Sequence, residues 1–132
     1  ARENFRLNDL NPEAHIFAAA DAFRFEPDNP GLLVCDPPAL SRSQKSDRSA
    51  ARAYRDLATQ CGRSLSGGGL LATASCTARL SQDRWEDAVR DGLKKAGRWA
   101  WLWRAAEPPD HPISSQHPEG RYLKFGLLRK LA

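Results

Sequence analysis

Histidine and cysteine are scarce in these 132 residues, three of each, and neither type is arranged as a metal site. Cys35, Cys61 and Cys76 show no paired spacing of the zinc kind, and His111 and His117 have no further ligands at ligand distance in the sequence. Loop or capping roles are expected for both, and for His15, which opens an apolar stretch. No apolar run nears the ~20 residues that cross a bilayer as a helix. No secretory signal pattern opens the chain, so neither a membrane nor an exported role is expected, and three cysteines without such a signal suit a reducing cytoplasm. Internal repeats are absent too, and low-complexity tracts do not extend beyond short loops.

What is there amounts to one ordinary domain, 41% hydrophobic, long enough to bury a core. It begins directly in a helix-like pattern, "ARENFRLNDL", with Phe5 and Leu7 or Leu10 inward, and is therefore read as a piece of a longer protein.

The stretch "GLLVCDPPALSRSQ" (31–44) is the most informative. Leu32, Leu33, Val34 and Cys35 are too few for a helix and are bracketed by Gly31 and two prolines, so they read as a strand covered on both faces, as in parallel sheets. Pro37 and Pro38 end it, because proline cannot donate to a ladder and keeps the preceding Asp36 extended. Asp36 then stands at a strand's carboxyl end, the rim where open α/β sheets bind ligands. A solvated loop acid is the alternative.

Strand and helix patterns alternate from end to end, which means α/β. "HIFAAADAF" (15–23) reads as a strand ending at Asp21. Residues 49–65 read as a helix burying Ala53, Leu57, Cys61 and Leu65, stopped by Gly67, Gly68 and Gly69. "LLATASC" (70–76) is a buried strand. Ser81 then caps a helix with an inner stripe of Trp85, Ala88, Val89 and Leu93, with Lys94 and Lys95 near its end and Gly97 as its stop. "WAWLWRAA" (99–106) is strand-like, 108–118 a proline-rich loop, and "RYLKFGLLRKL" (121–131) a last strand. Trp99, Trp101 and Trp103 alternate and so are expected on one sheet face, packed in the core or free to stack on bases.

Parallel strands would bring Asp21, Asp36 and Cys76 to one rim, where acids can accept hydrogen bonds and a thiol can attack. Cys76 sits in a small polar turn with Thr73, Ser75 and Thr77, open to a nucleophilic reading or to that of an inert small hydrophobe. Cys35 and Cys61 read as structural. Charge is uneven around this rim. The net charge is +4, but residues 1–39 hold three basic and seven acidic side chains, whereas 40–63 hold six basic (Arg42, Lys45, Arg48, Arg52, Arg55, Arg63) and two acidic. That segment suits a polyanion such as RNA, or is simply a solvated helix face.

"NFRLNDL", "ADAF", "VCDPPAL", "RAYRDL", "GGGLLATASCT", "PPDHPI" and "HPEGRYLK", in this order, cover nearly the whole chain. Together they resemble the class I S-adenosylmethionine-dependent methyltransferases that make 5-methylcytosine in large-subunit ribosomal RNA. The resemblance implies a Rossmann-like fold whose N-terminal strands and glycine-rich loop match nothing in residues 1–132, so that the chain is a partial catalytic domain. It implies S-adenosylmethionine as cofactor, held by Asp21, Asp36, Pro37 and Pro38, and RNA as partner, gripped by Arg42, Lys45, Arg48 and Arg52. Cys76 would attack the pyrimidine and Asp36 would hold or protonate the base edge. Ala39, where adenine N6 methyltransferases stack an aromatic, argues against amino methylation. The resemblance leaves two alternatives, a non-catalytic remnant and a methyltransferase for another substrate. A sheet lacking strands beside the one ending at Asp36 would expose an edge, so either a homodimer completing the sheet or a truncated, poorly active product is expected.

Overall fold

The computed structural model describes residues 1–40 and 47–132. Among these residues four strands, β1 (Leu32–Cys35), β2 (Leu70–Ser75), β3 (Trp99–Ala105) and β4 (Lys124–Lys130), form one sheet in the order β1-β2-β4-β3. β1 and β2 are parallel, joined by a right-sized crossover through helix α2 (Asp47–Ser64). β4 runs antiparallel to both neighbours, which makes the sheet mixed. Helix α3 (Gln82–Leu93) links β2 to β3, and a six-residue helix, α1 (Arg2–Leu7), opens the chain.

The core lies between the sheet and the pair α2 and α3. Tyr54, Ala58, Cys61 and Leu65 face inward at helical spacing and join Leu71 of β2 and Leu128 of β4 in one cluster, with Leu57 buried toward β1 and Ala53 only half-buried. From α3 the expected stripe, Trp85, Ala88, Val89 and Leu93, is buried throughout. The Ser81 hydroxyl accepts from the Arg84 N–H at the start of α3. A short 3₁₀ turn, Lys94–Ala96, extends the helix to Gly97, whose φ of +121° is open only to glycine at low strain. Gly92 lets the helices touch, since a Cβ there would strike the Arg55 carbonyl oxygen and Ala58. The Thr59 hydroxyl lies 2.9 Å from the Arg55 carbonyl oxygen and 3.1 Å from that of Gly92 and can donate to either, tying α2 to α3.

Three expectations are corrected. Residues 15–23 form no strand: their backbone makes only local hydrogen bonds, and a strand exists only where another backbone lies alongside. β1 is covered on one face only. As the sheet's edge it leaves Leu32 54% and Val34 67% exposed, while Leu33 and Cys35 face α2. The tryptophans do not share a face either. Trp101 pairs with Leu128 but Trp103 with Leu127, a bulge that turns Trp103 to the opposite side of the sheet. There Trp103 packs edge-on to Phe125, while Trp101 meets Trp85 in the core.

Candidate active site

Because β1 and β2 run in parallel and in register, Cys35 beside Thr73, the turns that follow them open on the same rim. Asp36 is exposed there, directly before the prolines. Cys76 follows the last residue of β2 and is half-buried between two fully buried neighbours, Ser75 and Thr77.

Those neighbours are locked. The Thr77 N–H donates to the Ser75 hydroxyl at 3.2 Å, closing the turn on itself. The Thr77 hydroxyl accepts from the Leu40 N–H at 3.2 Å and shares a 2.9 Å bond with the Tyr54 hydroxyl. Burial pushes that phenol up, against hydrogen bonds to Ser75 and Thr77, so it stays neutral. From the far side the Lys124 ammonium donates to the Thr77 carbonyl at 3.0 Å and to the Tyr122 carbonyl at 2.8 Å. One threonine thus ties the loop after β1, helix α2, the end of β2 and the start of β4. The Cys76 backbone is held from both sides.

Lys124 stands opposite Ser75 in the β2–β4 register and is 4% exposed. Burial pulls its amine below the usual lysine value, while Glu107 and Cys76 pull the other way. Glu107, anchored by a 2.8 Å hydrogen bond from the Leu123 N–H, is held below the usual carboxylate range; partial burial opposes this, and the backbone donors with Arg121 outweigh it.

A groove of about 630 Å³ runs along the open side of β1, lined among others by Ala22, Phe23, Asp36, Pro37, Pro38 and Leu57. Asp21 is not in its lining. Its carboxylate sits in a turn, accepting from the Phe23 N–H at 3.0 Å and facing Arg24 at 3.6 Å. The groove reaches Cys35 and Cys61, which form a pair. A hydrogen bond from Cys61 lowers the Cys35 thiol and raises that of Cys61, with burial adding to the rise.

Of the expected cationic contacts, Arg42 and Lys45 lie outside the described residues. Arg48 and Arg52 line a shallow groove of about 290 Å³ between α2 and α3, shared with Arg55, Arg84, Asp87 and Asp91. Arg52 and Arg55 both pair with Asp56, so part of this positive charge is answered within the helix. Among the described residues no cluster of histidine, cysteine and carboxylates could hold a metal, and no helix is long and apolar enough to cross a membrane.

Thr77, Tyr54 and Lys124 went unassigned in the sequence reading. A lone lysine inside the apolar run "YLKFGLL" was the signal for Lys124, since a charge placed there must find buried partners.

This fold, with an antiparallel β4 between β2 and β3, is shared with solved structures described as methyltransferases. A structure from Streptococcus mutans, provisionally described as a SAM-dependent methyltransferase, superposes with a TM-score of 0.78 at 20% identity, over 96% of this chain and 34% of that one. A second, provisionally a methyltransferase and complexed with SAH, gives 0.76 at 22%, over 96% and 34%. No family model matches. By sequence the chain is similar, over nearly its whole length, to ribosomal RNA large subunit methyltransferases. It is 36% identical to that of Deinococcus radiodurans, over 98% of this chain and 33% of the relative. The ribosomal RNA large subunit methyltransferase I of Shewanella frigidimarina is 33% identical, over 99% and 34%. The chain spans about a third of the length of the curated relatives it matches.

Proposed function

We propose that residues 1–132 are part of the catalytic domain of an RNA methyltransferase that methylates carbon 5 of cytosine with S-adenosylmethionine, using Cys76 as nucleophile. The observation that carries this reading is a half-exposed cysteine in an immobilised turn, on the same rim as an exposed aspartate, in a chain similar to ribosomal RNA methyltransferases.

The residues present fit one wall of a cofactor site. The groove beside β1 is apolar, with aromatic and proline surfaces for a purine and a single carboxylate, Asp36, for a cationic centre. Asp36, Pro37 and Pro38 would hold the cofactor, with Asp21 at the neighbouring turn. When bound, the cofactor's sulfonium supplies the methyl group.

The chain's own residues then have defined tasks. Carbon 5 of cytosine is a weak nucleophile. The Cys76 thiolate adds to carbon 6, forming a sulfur–carbon bond and leaving carbon 5 enamine-like. After methylation carbon 5 loses its proton, and the electron pair expels the thiolate. Asp36 holds the base edge as charge shifts through the ring. The base must be unstacked to reach Cys76, and Arg48 and Arg52, with Arg42 and Lys45, hold the phosphates on either side. A working thiolate needs a reducing compartment, so the cytoplasm is the proposed location. The open edge of β1, with Leu32 and Val34 exposed, would take a strand from a second copy of the chain, and a monomeric sedimentation profile would overturn that dimer.

Two measurements test the reading. Calorimetric titration with S-adenosylmethionine should give saturable binding. Transfer of labelled methyl to large-subunit ribosomal RNA should fall about a thousandfold or more in Cys76→Ala. Transfer that survives this substitution would overturn the assignment.

A further inference from the structure

We propose that Lys124 is the positioning residue for Cys76: it fixes the turn that carries the thiol and holds an ammonium beside the attacking sulfur. This deepens the reading of Cys76 as a nucleophile and rests on it. The geometry brackets Cys76 closely. Lys124 faces Ser75 across the β2–β4 ladder and bonds the carbonyl of Thr77, so it touches the residues on both sides of the cysteine. An ammonium has three donors, and the Thr77 and Tyr122 carbonyls take two. The third has no acceptor among the described residues. A role confined to bridging two carbonyls would be met by a neutral amide, without the cost of burying a lysine at 4% exposure. The titratable groups that act on this pair are Glu107 from the loop after β3, which faces Lys124, and the neutral phenol of Tyr54 from α2, which faces Cys76. Lys124 and Cys76 attract when both are ionised, and this is the coupling proposed to act on the attacking sulfur.

The test is alkylation of the intact chain by iodoacetamide near neutral pH. Each cysteine peptide is followed by mass spectrometry, and Cys35 serves as internal reference. In this reaction the thiolate forms a sulfur–carbon bond and iodide leaves. Lys124→Gln keeps donors for both carbonyls and removes the charge; Lys124→Arg keeps the charge. Alkylation of Cys76 relative to Cys35 should slow about tenfold in Lys124→Gln and stay near wild type in Lys124→Arg. An unchanged or faster rate in Lys124→Gln overturns the proposal, because a merely loosened turn exposes the sulfur and speeds its reaction. Should Lys124→Gln not fold, Lys124→Met and wild type in parallel pH series replace it with the same criterion. Failure of methyl transfer alongside the expected alkylation pattern would remove the methyltransferase reading while leaving the effect of Lys124 on the thiol in place.

Discussion

Residues 1–30 and residues 47–130 contain similar apolar material and use it differently. In the second region Leu71, Trp85, Leu93 and Leu128 are at most 1% exposed, enclosed between two helices and a sheet. In the first, Ile16 is 95% exposed, Leu7 73%, and Phe23 and Phe25 nearly half. In residues 1–17 the order is local: Phe5 packs edge-on to His15 and Phe17, Arg2 lies over the Phe17 ring, and Arg2 pairs with Glu13 at 2.9 Å, while residues 25–29 are tied to the second region by hydrogen bonds from Gln60 and the Ser66 N–H. Apolar sequence becomes core only where a second layer exists to meet it.

The largest expected effect breaks the comparison on its buried side. Trp85 is fully buried and stacks edge-on against Trp101, so Trp85→Ala should cost about 3–5 kcal/mol in urea unfolding, a loss large enough to threaten folding. A cost under about 1 kcal/mol would mean that the second region is as loosely packed as the first. Gly92→Ala comes next. Its methyl group would drive α3 off the Arg55 carbonyl and Ala58 of α2, for about 1–3 kcal/mol by the same measurement.

The two regions also differ in how far the sequence could be read. Helix α3 was legible from end to end because its signals are local: a serine cap, a stripe at helical spacing, and a glycine stop. Residues 15–23 carry strand-like sequence just as plainly, yet a strand is a pairing, and no periodicity reports whether a partner backbone lies alongside. The bulge that separates Trp103 from Trp101 escaped for the same reason, since it is a matter of register between β3 and β4. At the candidate site, Asp36 and Cys76 were legible from strand ends, whereas the fastening of Cys76 was not. Lys124 reaches Thr77 across 47 positions, and Leu40 reaches it across 37.

The smallest expected effect sharpens the comparison. In the chain as it stands, Ile16→Ser should leave the unfolding midpoint nearly where it was, within about 0.5 kcal/mol, because its side chain is already in water. The sequence around Ile16 still has the character of a buried strand, and β1 offers an unpaired edge with Leu32 and Val34 beside it. If another backbone were to pair along that edge and draw 15–23 into the sheet, the same substitution would remove a buried isoleucine and cost about 1.5–3 kcal/mol. Repeating the measurement across protein concentration separates the two states. An Ile16→Ser penalty that grows with concentration would show that self-association buries this segment, and a flat, near-zero penalty would show that a second copy does not.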